Sequence, residues 1–268
     1  MEKKDGRIRW KSKATYDIIY SSFYGGSSMS FRINNRRYTG SKYKITPWIR
    51  GIVSKECPNC KSFCDLFAGT GVVTDEFIND FSTFYINDFL YSNEVIYKAF
   101  YKKEEYDLSK ITKFYQKYKN INPQDISDNY VSINFGNKFF EYNDAKVIGF
   151  IRQDIEDSRN ELNDREYCIL LTSLLYSFDR CANTVGHYEA YRKNVSLKSS
   201  FSYELINPVI KSNDDVRNIF ITRKDSNQLA KEVECDLVYI DPPYSSRQYS
   251  RFYHVLETIV KWDKPELL

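Results

Sequence analysis

The sequence predicts an α/β protein: one half of a doubly wound parallel sheet, about four strands, interrupted by a mainly helical insert. Three observations predict it. An apolar strand runs into a Gly-x-Gly turn and then a helix at "SFCDLFAGTGVVTDEF" (62–77). A second strand ends on an acid at "STFYIND" (82–88). After a long stretch of helical spacing, two further apolar runs, "NIFIT" (218–222) and "DLVYIDPP" (236–243), return the chain to strand character. Strand, glycine turn, helix, strand and acid follow one another in the order of a βαβ half-unit.

The elements read as follows. Residues 1 to about 30 are polar, rich in Gly and Ser near "YGGSSMS", and read as a tail or a loosely held helix. A turn at Gly40-Ser41 precedes a helix-like stretch to Val53. The first strand covers 63–67, and the helix after it runs over 72–81, where Val72, Val73, Phe77, Ile78 and Phe81 share one face. The second strand covers 83–87 and delivers Asp88. Between about 105 and 210, "DLSKITKFYQKYKN", "DAKVIGFIRQDIED" and "LNDREYCILLTSLLYSFDRCAN" have helical spacing, the last being apolar enough to be the buried helix of the insert. "NYVSINFGNKFFEYN" (129–143) reads as an aromatic loop. The remaining strands cover 218–222 and 236–241.

Composition narrows the function classes. Lys+Arg 39 against Asp+Glu 36 give a net charge of +3, so any nucleic-acid site is local rather than global. Arg32, Arg36, Arg37, Lys42, Lys44 and Arg50 make one basic stretch, and Arg192, Lys193, Lys198 and Lys211 a looser second. Either alone is ordinarily solvated surface. No apolar run approaches the roughly 20 residues of a spanning helix. Six cysteines without a secretory signal argue for reduced thiols and a cytoplasmic setting. Cys57-Pro-Asn-Cys60 has half of a zinc spacing, but no second pair exists and both histidines are remote, so it reads as an exposed turn before a strand and no metal is expected.

Two motifs carry chemistry. In "DLFAGTG", Gly69 and Gly71 stand where a strand becomes a helix, allowing positive φ and close approach of a ligand to the backbone. Asp88 ends the next strand, where an acid accepts hydrogen bonds from ribose hydroxyls. In "LVYIDPPY" the fourth strand delivers Asp241 into Pro242, Pro243 and Tyr244. Prolines end strands, but strand termination requires neither the acid before them nor the aromatic after them. A carboxylate and the Pro242 carbonyl on a stiff turn can accept both hydrogens of an exocyclic amino group, and Tyr244 offers a stacking face to a flipped-out base.

With "RRYTGSKYK", "DLFAGTG", "INDF", "RKDSNQLA" and "DPPY" in this order, residues 32–268 resemble the alpha-class, Dam-like DNA adenine N6-methyltransferases of the restriction-modification type. "ANTVGHYEAYRK" and "NDREYCILLTSLLY" resemble the insert of that branch. The resemblance implies a Rossmann-like, S-adenosylmethionine-dependent methyltransferase sheet. It divides the chain into a tail (1–31), a cofactor-binding half (32–104), a helical insert for DNA target recognition (105–210) and a return to the catalytic sheet (211–268). It implies that Tyr38 and Lys42 touch S-adenosylmethionine and that Asp65, Phe67, Gly69 and Gly71 hold its methionine part. Asp88 would bind the ribose and Asp225 the adenine amino group, with Asp241, Pro242, Pro243 and Tyr244 as catalytic residues. The partner implied is double-stranded DNA, with His187 a DNA contact or a packed loop residue. The family's sheet continues well past the point where this chain stops, so the DPPY strand is expected at an edge. A C-terminal companion polypeptide completing the sheet, or a non-catalytic fragment, follows as an alternative. Methylation of cytosine N4 or of RNA adenine shares the same motif chemistry.

Overall fold

In the computed structural model, residues 3–4, 7–8, 31–38, 40–243 and 249–266 are described. The chain divides into two units, Met1–Ser30 and Phe31–Leu268. In the first, strands Lys3–Lys4 and Arg7–Ile8 pair antiparallel; the rest of the expected tail up to Ser30 lies outside the described residues, and its last residue, Phe31, is buried in the second unit.

The second unit is built on a parallel sheet of β1 (Ser62–Asp65), β2 (Thr83–Asn87), β3 (Asn218–Thr222) and β4 (Leu237–Tyr239), ordered β3-β2-β1-β4. All four strands fall where the hydrophobic runs predict them. The chain moves outward from β1 through β2 to β3, then crosses back to place β4 on the other side of β1. The boundary between β1 and β4 is therefore a topological switch point, where the loops at the carboxyl ends diverge and leave a crevice.

The helices are α1 (Thr46–Glu56), α2 (Val72–Phe77), α3 (Tyr91–Tyr101), α4 (Leu108–Lys119), α5 (Tyr130–Phe135), α6 (Tyr142–Asp157), α7 (Asp164–Cys181), α8 (Ser226–Glu232) and α9 (Tyr249–Lys261). Helix α2 stops at Phe77, short of the expected Phe81. The chain turns there so that Phe81 packs on Phe63 and Phe84, 5.3 and 6.1 Å between ring centroids, closing an aromatic cluster with Phe77 under the sheet. The aromatic "loop" at 129–143 contains α5. Asn129 starts it: its side chain accepts from the Val131 and Ser132 amides, and the Ser132 hydroxyl answers the Asn129 amide. Asn129 also fills the space a Cβ at Gly149 would occupy, so α5 docks on α6 only because that residue is glycine.

Helix α7 is buried along nearly its whole length and packs against α3, so the insert shares its core with the sheet's own helices. Buried Arg152 of α6 caps the far end of α9: Nε donates to the Ile259 carbonyl (2.6 Å) and Nη2 to that of Val260 (3.2 Å), while Glu156 balances its charge. On the other face of the sheet, Leu229 of α8 covers Cys64 and Leu66. Phe220, Val238 and Ile240 stay exposed, and β4 has β1 as its neighbour among the described strands. The expected edge position of the DPPY strand is thus seen. The described cysteines are all free, and Cys57 and Cys60 lie in the turn between α1 and β1. No group of three or more metal-ligating side chains occurs among the described residues. No helix among them is long and apolar enough to cross a membrane.

One side chain ties the carboxyl ends of three strands together. Buried Asn87 donates to the Leu66 and Lys224 carbonyls, both at 3.1 Å. Its oxygen accepts from the Thr222 hydroxyl (2.8 Å) and the Lys224 amide (3.0 Å). Asn87→Ala strands several of these groups, so a loss of about 2–4 kcal/mol of stability is expected in urea denaturation. A loss under about 1 kcal/mol would show that water replaces the clamp.

Candidate active site

A cavity of about 840 Å³ opens at the switch point, over the carboxyl ends of β1, β2 and β4. Its floor is the turn after β1. The Leu66 amide continues the ladder to Tyr239, the Ala68 amide donates to the Asn87 carbonyl, and Gly71 closes a turn onto Ala68. Gly69 and Gly71 have φ of +54° and +76°. A Cβ at Gly69 would meet the Tyr38 ring at 3.3 Å, and one at Gly71 would meet Ile33 at 2.7 Å. Both positions therefore need glycine for conformation, and a side chain at either would also press on its neighbour.

Of the expected site residues, Tyr38, Lys42, Asp65, Phe67, Gly69, Asp88, Asp225, Asp241, Pro242 and Pro243 all line this cavity. Gly71 is not on its wall; it sits behind it as the N-cap of α2. Tyr244 lies outside the described residues.

The acids differ in their environments. Asp65 is buried; Thr74 donates to its Oδ2 at 2.9 Å, and its Oδ1 has no partner. Burial pushes its carboxyl up to about 7, with the charges of Asp88 and Asp241 adding to the shift. Asp88 accepts from the Gly69 amide at Oδ2 and from the Leu90 amide at Oδ1, each at 2.9 Å. Burial raises its pKa, and those hydrogen bonds oppose the rise. The Asn93 side chain also opposes the rise, and a carboxylate has lone pairs beyond those three for a further donor. Asp225 caps α8 through the Asn227 and Gln228 amides. Asp241 forms an ion pair with Lys42.

The leading basic stretch is not one patch. Arg36 is buried, Arg50 is held by Glu76 and Asp80, Arg37 donates to the Ala182 and Arg180 carbonyls, and Lys42 faces Asp241. Exposed Arg32 and Lys44 remain. His187 packs its ring 4.5 Å from that of Phe252.

The wall contributed by α9 was not anticipated. His254, Glu257, Thr258 and Lys261 line the cavity from one helix face, while Phe252, Val255, Leu256 and Ile259 enter the core from the other. Glu257 also caps α3, accepting from the Tyr91 (3.1 Å) and Ser92 (2.9 Å) amides. The i, i+3, i+4, i+7 spacing after the DPPY motif is the signal that marks this face. Phe89, largely exposed, and Tyr91, with the Arg223 guanidinium 3.7 Å from its ring centroid, complete the rim.

Residues 38–268 match the family described as D12 class N6 adenine-specific DNA methyltransferase. The chain belongs to that family. It is 33% identical to the modification methylase LlaI of Lactococcus lactis subsp. lactis over 86% of its own length and 39% of that protein. It is 33% identical to the modification methylase StsI of Streptococcus sanguinis (86% and 37%). It is 30% identical to the type II methyltransferase M.NlaIII of Neisseria lactamica (84% and 69%). It thus spans about two-fifths of the first two relatives and about two-thirds of the third. The D12 match includes both the glycine turn and DPPY, so the motifs that build the cavity lie inside the family's boundaries.

Asp65 yields a pH test in this D12 chain. Between about pH 4 and 7 the folded state holds a proton on Asp65 that the unfolded state has lost, so stability falls as pH rises through that window. Asp65→Asn, which keeps an oxygen for Thr74, should flatten the decline in urea midpoint between pH 5 and 7.5. Equal declines in both proteins would place the titration elsewhere.

Proposed function

We propose that the chain carries the cofactor and target-base sites of a site-specific DNA methyltransferase. The reaction is methyl transfer from S-adenosylmethionine to N6 of an adenine flipped out of duplex DNA, in the modification half of a restriction-modification system. One observation carries this reading: Asp241 and its two prolines open into the same cavity as Asp65, Asp88 and the Gly69 turn. The names of the relatives, modification methylases and a type II methyltransferase, support it.

The residues present fit the cofactor. A buried carboxylate oxygen without a partner, Asp65 Oδ1, suits a cationic ligand, and the volume lies within the usual range for small-molecule sites. Asp65, Phe67 and Gly69 would hold the methionine end, with Gly71 shaping the turn behind them. Asp88 would take the ribose hydroxyls on its remaining lone pairs, Asp225 the adenine amino group, and Tyr38 and exposed Phe89 the ring faces. S-adenosylmethionine, when bound, supplies an electrophilic methyl group.

The chain's residues do the rest. The lone pair of an adenine amino group is delocalised into the ring, so the nitrogen is a poor nucleophile. Asp241 and the Pro242 carbonyl accept its two hydrogens and hold it in line, and the prolines keep that geometry stiff. Lys42 neutralises Asp241 when no base is present. Tyr244 stacks on the extruded base, which offsets a few kcal/mol of unstacking. Exposed Arg192, Lys193 and Lys198, in the irregular segment after α7, are suited to phosphate contacts, and the insert to reading bases. The cytoplasmic setting belongs to the same reading.

A further polypeptide segment, in the form of a companion chain, would pair with the open edge of β4 and cover Val238 and Ile240, which a parallel sheet normally buries. Tritiated-methyl transfer from S-adenosylmethionine to unmethylated DNA, run with and without such a companion, tests the function. In whichever form is active, Asp241→Ala should abolish transfer and spare DNA binding, which rests mainly on phosphate contacts. Tyr244→Phe should be milder than Tyr244→Ala. Transfer that survives Asp241→Ala would remove the proposed centre.

A further inference from the structure

Arg36 is unlike its basic neighbours. It is 6% exposed; Nη1 donates to Asn93 Oδ1 at 2.5 Å, and Nε and Nη2 have no hydrogen-bond partner. Its guanidinium carbon lies 5.4 Å from the ring centroid of Tyr38 and 5.5 Å from that of Tyr253. Those two rings stack on each other, 4.8 Å apart and 8° from parallel. An incompletely bonded buried cation is costly; the charges of the Asp179 and Asp88 carboxyls together with the tyrosine rings offset it.

Both ring positions matter to the site. Tyr38 lines the cavity and lies against Gly69. Tyr253 is the residue at which α9 leaves helical geometry, with φ −122° and ψ 16°. Neither proline nor glycine occurs in α9 to cause a kink. The contacts at the kink include the stack and the His254 Nδ1 contact to the Arg251 carbonyl at 3.0 Å. The cavity-facing side of α9 begins at His254, immediately after the kink. Asn93, the hydrogen-bond partner of Arg36, stands in the first turn of α3, the helix that Asp88 and Glu257 cap.

We infer that Arg36 is a positioning residue that couples the cofactor wall to the target-base wall. Through Tyr38 and Asn93 it braces the cofactor side. Through Tyr253 it sets the kink that aims the His254–Lys261 face at the same cavity. This coupling rests on the S-adenosylmethionine reading above. A lysine cannot replace the arginine, because a point charge cannot serve two rings and Asn93 at once.

The test is calorimetric titration of S-adenosylmethionine into the wild type, Arg36→Lys, Tyr253→Phe, Tyr253→Leu, Tyr38→Leu and the Tyr38→Leu/Tyr253→Leu double variant, with circular dichroism as the check on folding. Arg36→Lys and Tyr253→Leu should each weaken binding about five-fold or more, the lower scale of a single cation–π contact. Tyr253→Phe, which keeps the ring, should bind more tightly than Tyr253→Leu. The double variant should bind no more weakly than Tyr38→Leu alone, because both act through one stack. Wild-type affinity in Arg36→Lys or in folded Tyr253→Leu, or losses that multiply in the double variant, would overturn the coupling alone. Arg36→Lys conserves volume, so it decides the question even if a leucine variant does not fold. A wild type that binds no S-adenosylmethionine would instead overturn the functional reading, and the coupling with it.

Discussion

The Asp88 carboxylate holds the site together. One oxygen takes the Gly69 amide and the other the Leu90 amide, so the glycine turn leaving β1 and the helix leaving β2 meet on one side chain. Neither element could keep its position alone. The turn runs through two positive-φ residues, and the start of α3 presents unpaired amides. Asn87, the residue before, does the equivalent for the strand ends. Asn87, the last residue of β2, and Asp88, the next, thus organise the sheet's carboxyl edge. It also follows that Asp88 has two duties. Its removal disturbs the turn as well as any ribose contact, so a loss of cofactor affinity in Asp88→Ala alone would not separate them.

The cavity is lined by acids whose burial differs, and that difference divides their roles. Asp65 is deep, raised to about 7, and keeps an unpartnered oxygen. Asp88 is engaged by backbone amides, and Asp241 by Lys42. A cationic ligand is favoured at the first, a hydroxyl donor at the second, and at the third an amino group able to displace a lysine. Helix α9 adds a wall to this crevice. Its apolar face anchors in the core, and Arg152 of the insert satisfies its last carbonyls.

The sheet was legible because its strands are short apolar runs punctuated by glycine, acid and proline, signals that act locally. That Asp88 and Asp241 meet in one cavity was legible from motif order, since a parallel sheet brings all its carboxyl ends to one edge, whereas Tyr38, Asp65 and Asp225 were placed there by the family resemblance. What escaped depends on distant partners. Helix α3 starts on Asp88 and on Glu257, which is far along the chain, and Ile96, Tyr97, Ala99, Phe100 and Tyr101 bury it nearly all round, so it carries no clean amphipathic stripe. Helix α5 hides among aromatics behind an Asn-x-x-Ser cap, a weaker sign than Ser-x-x-Glu. The basic stretch at 32–50 was misleading because charge in sequence does not reveal that Arg36, Lys42 and Arg50 find partners in the fold.

The claim on which all of this depends is that a single cavity at the β1/β4 switch point receives both the methyl donor and the target base. A crystal structure of the chain with S-adenosylmethionine measures it directly. The account predicts density over the Gly69 turn, with the ligand's cationic end at Asp65, its ribose at Asp88, and its methyl group directed toward Asp241. Density at another site, or a ligand in this cavity whose methyl group points away from Asp241, would contradict it.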